Sequence, residues 1–121
     1  MKSLIHVILM LSLLLFTSVN GATMNGQISK LPELKNLSMD SVLQKYGKPE
    51  KNYSFKMKEP MHEFRVELLN SYPQNKPENR DVEIQELWWR DGDHNITIWF
   101  HQVQGQWQVL DTRRWHKDIE F

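Results

Sequence analysis

Few side chains in this sequence are able to do acid–base or metal chemistry, and their spacing does not suit it. Cysteine is absent, which removes thiolate nucleophiles and thiolate metal sites. Outside the apolar amino terminus the histidines are His62, His94, His101 and His116, and no pair has the HxxxH or HxH spacing that aims two imidazoles at one metal. No Ser-His-Asp order, Gly-rich phosphate loop or nucleophile elbow is present. Glu86, His101 and Asp111 are the only acid/base set that neighbouring strands would bring close, and in the register derived below Asp111 faces away from His101. The expectation is a chain without metal ligands or a cofactor, and more a non-enzyme than an enzyme.

Aromatic surface is concentrated instead. Residues 87–107, "LWWRDGDHNITIWFHQVQGQW", hold four tryptophans, two of them adjacent. In a strand, neighbouring side chains point to opposite faces, so Trp88 and Trp89 belong to different sides of a sheet. Along "NITIWFHQV", Ile96, Ile98 and Phe100 point one way and Thr97, Trp99, His101 and Val103 the other. A two-residue turn at Gln104-Gly105 then pairs Val109 with Phe100 on the first face and Leu110 with Trp99 on the second. The Asp91-Gly92-Asp93 turn closes with two or three residues, and the face of each of Trp88 and Trp89 depends on which. Trp89, Trp99, His101 and Leu110, rimmed by Arg90 and Arg114, are taken as the candidate contact face.

Such a face would leave roughly 400 to 600 Å² of apolar surface uncovered, at about 150 to 250 Å² per tryptophan, as much as the largest patch on a typical monomer. Three covers suit it. The first is the protein's own chain, either the segment before Ser38 or the tail at 117–121. The second is a partner protein or a second copy, since Trp and Arg are enriched at binding hot spots. The third is a glycan, whose flat rings suit aromatic side chains flanked by polar groups.

The elements that must position these residues are legible in part. In "NLSMDSVLQKYGKP", Ser38 suits a helix N-cap, Asp40 places negative charge in the first turn, and Leu37 and Val42 are spaced for a hydrophobic staple. Met39, Val42, Leu43 and Tyr46 give one apolar face, Gly47 a left-handed stop, and Pro49 a bar to continuation. Ile28, Leu31, Leu34 and Leu37 predict a shorter apolar turn or helix from Pro32. Tyr53, Phe55 and Met57 alternate with polar residues, as do Phe64, Val66 and Leu68, and both runs read as strands. A polar loop at 72–81 and three strands near 82–90, 95–103 and 107–115 complete the chain. The predicted class is α+β, with one or two short N-terminal helices packed on an antiparallel sheet of four to five strands ending in a three-stranded meander.

The order Asn36, Leu37, Ser38, Val42, Gly47, Pro49 resembles the G-M-T-x-x-x-V-x-x-x-x-G-x-P helix signature of the SmpA/OmlA outer-membrane assembly lipoproteins. The resemblance covers fourteen residues. It implies two short helices against an antiparallel sheet, an architecture shared with the beta-lactamase inhibitor protein. Asn36 stands where that pattern has Gly, Leu37 where it has Met and Ser38 where it has Thr. The lipidated cysteine of those lipoproteins is lacking.

At the amino terminus, Lys2 precedes the apolar run "LIHVILMLSLLLFTSV" and the small or polar "NGAT", the order of a secretory signal peptide over residues 1–21 with cleavage before Ala22. Residues 22–121 are then expected to form one domain. An exported chain without cysteine suits the bacterial periplasm better than a disulfide-stapled secreted domain. Basic and acidic residues balance at 15 each and are interleaved without a stripe that would track phosphates, so nucleic acid is not the expected partner. The resulting expectation is an exported periplasmic, non-enzymatic interaction module of the cell envelope. Its tryptophan-bearing face binds a protein or a second copy, with no membrane anchor after cleavage. The alternative is a small glycan-binding protein or hydrolase of the envelope.

Overall fold

The computed structural model describes residues 28–121. The expected signal peptide and its cleavage point lie outside the described residues. Five antiparallel strands form one sheet in the order β1-β5-β4-β3-β2: β1 (Ile28–Ser29), β2 (Lys51–Lys56), β3 (Glu83–Asp91), β4 (His94–Val103) and β5 (Gln106–His116). One α-helix, α1 (Met39–Tyr46), and three 3-10 segments, Pro32–Leu34, Glu63–Asn70 and Pro77–Asn79, complete the described chain.

The capped helix forms as its sequence specifies. The Ser38 hydroxyl accepts from the Ser41 backbone N–H at 3.1 Å. The Gly47 N–H closes the last turn on the Leu43 carbonyl at 2.8 Å. Gly47 itself sits at φ 77°, ψ −157°, a backbone conformation that residues other than glycine adopt only under strain. Val42 is fully buried against the sheet. Upstream, Asn36 adopts φ 65°, the left-handed region that Asn tolerates better than most residues.

Both hairpin turns have two residues. Asp91 pairs with His94, and Val103 with Gln106. Gln104 and Gly105 have φ of 52° and 80°, two positive values in succession, as a type I′ turn requires. The first turn settles the tryptophans. Trp89 pairs with Ile96 and Trp88 with Thr97. Trp89 therefore joins Leu87, Ile96, Ile98, Phe100 and Val109 in the core beneath α1, together with Leu34. Trp88 lies on the other face.

Two expectations are corrected here. The segment Glu63–Asn70 is a 3-10 helix, not a strand: Phe64 and Leu68 are buried while Val66, between them, is 46% exposed. The fifth strand is instead the short β1, paired with Arg114 and Trp115 at the edge of β5. The second correction concerns β5. A β-bulge lets Trp99 pair with Asp111 and Phe100 with Val109, leaving Leu110 as the extra residue. Beyond that bulge every β5 side chain changes face relative to a regular ladder. Asp111, Arg113 and Trp115 join the Trp99 face, and Arg114 crosses to the helix side, opposite Ile96.

Candidate functional site

The second sheet face is closed over most of its area by the protein's own chain, and the main lid is the 3-10 segment Glu63–Asn70. Phe64 is its central side chain, with ring centroids 5.2 Å from Trp88, 5.3 Å from Trp99, 5.1 Å from Trp115 and 5.0 Å from Phe121. Phe55, Met57, Leu68 and Ile84 extend this second core toward β2. The lid is also held by charge. Arg65 presents a two-pronged contact to the Glu86 carboxylate, Nε to Oε1 at 2.8 Å and a terminal nitrogen to Oε2 at 3.1 Å. Lys30 bridges Glu67 on the lid (2.7 Å) and Asp111 on β5 (2.9 Å). Arg113, almost buried, donates to the Phe64 carbonyl at 3.2 Å and contacts Glu67 at 3.3 Å. Hydrogen bonding to Lys30 holds the Glu67 carboxyl below its usual range. For Lys30, partial burial works against the charge, but the bonds to Glu67 and Asp111 outweigh it and raise its pKa.

Glu86 organises the interior of this face. It is 1% exposed and accepts, besides Arg65, the indole N–H of Trp88 at 2.9 Å and of Trp99 at 2.7 Å. A carboxylate so completely engaged has little remaining capacity for a ligand proton.

The lid stops short of one end. There, a cleft of about 640 Å³ opens between the edge of β2, the end of β3 and the tail beyond β5. Its walls are aromatic, from Tyr53, Phe64, Trp88, Trp115 and Phe121, with His62, Arg65 and Asn95 among the polar groups. Tyr53 and Phe121 are 43% and 48% exposed, so the cleft presents ring surface to solvent. Tyr53 stands edge-on to Trp88 at 6.3 Å, and the Lys51 ammonium lies 4.8 Å from the Trp88 ring centroid.

The candidate contact residues named from sequence do not form one surface. Trp99 faces away from the helix as expected, but at 1% exposure it is beneath the lid. Trp89 is on the opposite face, packed at 5.5 Å on Tyr46, its indole N–H bonded to the Gly47 carbonyl at 2.9 Å. Arg114 is on the helix side because of the bulge. His101 pairs with the Tyr72 hydroxyl and lines a small pocket with Ser71 and Leu110, apart from the cleft. Burial pushes the His101 imidazole below its usual pKa and the Tyr72 hydroxyl above its own. Arg90 bonds Asn95, a residue of the cleft wall, at 2.9 Å but does not itself line the cleft.

The bulge also turns Asp111 to the same face as His101 and Glu86, contrary to the regular register, yet the three do not assemble. Each is already engaged, Asp111 by Lys30 and its neighbour's backbone N–H, His101 by Tyr72, Glu86 by Arg65 and two indoles. Sequence reasoning missed Tyr53, Phe64, Trp115 and Phe121 as cleft residues. Tyr53 carried a signal, an aromatic side chain on a one-sided, lysine-flanked strand. Trp115 could not be placed without knowing the bulge. Compared with family models, with curated proteins and with solved structures, the chain finds no match.

Proposed function

We propose that this chain is an exported periplasmic interaction module of the cell envelope that engages a protein partner through the cleft between Tyr53, Trp88 and Phe121. The observation that carries the reading is the exposed aromatic ring surface at the one end of the second face that the lid leaves open. Aromatic side chains bordered by arginine are the composition of binding hot spots, and a cleft of about 640 Å³ has room for one or two apolar side chains of a partner. The apolar run and "NGAT" boundary at the amino terminus support export with cleavage near Ala22. The stretch from Asn36 to Pro49 supports kinship with the SmpA/OmlA type of envelope domain, the left-handed Asn36 supplying the backbone that Gly supplies in that pattern. A second reading, glycan binding, draws on the open Tyr53 ring with His62, Asn95 and Glu120 beside it.

The test compares mature protein with its Trp88→Ala and Tyr53→Ala variants in capture from a periplasmic extract, in sizing, and in retardation on cell-wall polysaccharide. A specific protein captured by the native chain and lost with both variants supports the reading. Capture indifferent to both changes overturns it, and retardation on polysaccharide that both variants abolish gives the cleft to a glycan instead. Mass spectrometry of the protein from its host should find an unlipidated terminus near Ala22. The intact leader in the membrane fraction would remove the export half of the proposal.

A further inference from the structure

His94 and His116 are far apart in the sequence and directly opposite each other in the sheet. With Phe100 paired to Val109, an unbroken ladder would set His94 against Trp115. The extra residue Leu110 advances β5 by one position, and His116 takes that place instead. No linear spacing between histidines discloses such a pair.

Their phase in the ladder is the close one. The Lys117 N–H bonds the Asp93 carbonyl at 2.8 Å, so His94 and His116, one step inward, form a non-hydrogen-bonded pair, whose Cα atoms approach to about 4.5 Å. Both side chains lie on the helix-side face, in line with Ile96 and Arg114, and both are half-buried.

The two imidazole centroids are 5.4 Å apart. Two imidazoles on a tetrahedral zinc ion, with metal–nitrogen bonds of about 2.0 to 2.1 Å, have centroids about 3.2 Å from the metal and therefore about 5.2 Å from each other. A right-angled pair, as on a square-planar copper ion, needs about 4.5 Å. The observed spacing fits the tetrahedral arrangement. The rings are nearly perpendicular, at 87°, and aiming one nitrogen of each at a shared point takes rotation about the Cβ–Cγ bonds, a broad torsion that barely moves the centroids.

His116 also has the flanking group that orients a ligating imidazole. Its Nδ1 is turned to Asp118, with the carboxylate Oδ2 at 3.4 Å and the backbone N–H at 3.2 Å. In the tautomer with the proton on Nδ1, the ring donates to that carboxylate and leaves Nε2 bare, the carboxylate–histidine–metal arrangement of zinc sites. Asp91 is cross-strand from His94 on the same face, and the nearby Lys117 is taken up by Asp93 at 3.6 Å. Asp91, Asp93 and Asp118 thus outnumber the neighbouring cations, Arg114 and Lys117. Among the described residues no three ligand-type side chains are gathered for a metal, so the protein supplies two ligands and water completes the shell.

We propose that His94 and His116 form a two-histidine site for a zinc ion, with Asp118 as the residue that positions His116. The site lies on the sheet face opposite the cleft and is independent of what the cleft binds.

The probe is zinc chloride, titrated into metal-stripped mature protein and followed by calorimetry and by the histidine ring resonances, with magnesium chloride as the oxygen-seeking control. One equivalent of zinc should shift the His94 and His116 resonances together, and magnesium should shift neither. His94→Gln and His116→Gln should each weaken zinc by about tenfold or more, because a single imidazole remains. Asp118→Ala should weaken it by about tenfold, and Asp118→Asn, which keeps an acceptor for the Nδ1 proton, by less. The resonances of the native chain carry the test even if a histidine variant fails to fold. Histidine signals that move singly or not at all, or a zinc affinity that both histidine variants leave in place, overturn the site and leave an adventitious ion only. Zinc binding lost with the histidines but indifferent to Asp118→Ala overturns the positioning role.

Discussion

Trp88 and Trp89 are consecutive in the chain and send their indole N–H groups to opposite sides of the sheet, Trp88 to the Glu86 carboxylate and Trp89 to the Gly47 carbonyl at the end of α1, each at 2.9 Å. One tryptophan thus belongs to the helix-side core and the other to the wall of the cleft. Trp89→Ala should remove about 3 to 5 kcal/mol of stability, as large aromatic truncations in a core do. Trp88→Ala, at a half-buried position, should cost distinctly less and instead weaken partner capture. Thermal melts of the two variants check the difference, and equal losses would mean that Trp88 is as much a core residue as its neighbour.

How far the sequence discloses this arrangement depends on the kind of signal. The cap at Ser38, the stop at Gly47 and the two hairpin turns are local devices, and local residues specify them. The row Ile96, Ile98, Phe100 is legible for the same reason, because period two needs no partner to be recognised. The lid is not. "EFRVELLN" alternates well enough for a strand, and only the presence of a second hydrophobic face needing cover favours the 3-10 course that buries Phe64 and Leu68 and exposes Val66. The extra residue Leu110 leaves no local mark either, yet it decides the face of Asp111, Arg113, Arg114 and Trp115. The candidate contact residues therefore have the expected types but do not share a face, since the turn puts Trp89 and the bulge puts Arg114 on the helix side.

Backbone conformation alone should separate Gly47 from Asn36. A Cβ added at Gly47 meets nothing within 4 Å, so Gly47→Ala tests the φ 77°, ψ −157° conformation without steric crowding. The expected loss is about 1 to 3 kcal/mol, with Lys48→Ala close to neutral. Asn36→Gly, at φ 65°, should be neutral or slightly stabilising, while Asn36→Val should cost about 1 to 2 kcal/mol. Denaturant melts of the four variants decide it. A neutral Gly47→Ala would show that the helix stop can relax to an ordinary conformation.

His101 gives the protein an acid-side sensitivity of predictable sign. Its pKa in the folded state is lowered from the ordinary 6.5 by burial, so folding disfavours the protonated ring. The contribution is present in full above 6.5 and is lost as pH falls from there through the folded-state value. Stability should therefore decline as pH falls below 6.5, and His101→Gln should flatten that part of the profile. Glu67, whose pKa is also lowered, adds its loss further toward acid, below its ordinary 4.5. Denaturant midpoints across this range for the native and His101→Gln proteins make the comparison. An unchanged slope would place the sensitivity elsewhere.

Glu86 and Trp99 offer the sharpest separation of packing from hydrogen bonding. Trp99→Ala and Phe100→Ala should both be severe, about 3 to 5 kcal/mol each, because the lid buries Trp99 as completely as the helix side buries Phe100. Trp99→Phe keeps much of the ring and deletes the 2.7 Å bond to Glu86, leaving that carboxylate its contacts with Arg65 and Trp88. Its cost should fall to about 1 to 3 kcal/mol. Glu86→Leu removes the shared acceptor and strands a largely buried guanidinium with two indole N–H groups, a loss of about 3 to 5 kcal/mol. Adding Arg65→Met should recover part of it, since the cation no longer lacks a partner, and the double variant should be less destabilised than the sum of the single ones. Additive losses would mean that Arg65 and Glu86 contribute independently, and that the lid is held on the sheet by Phe64 and Leu68 without the ion pair.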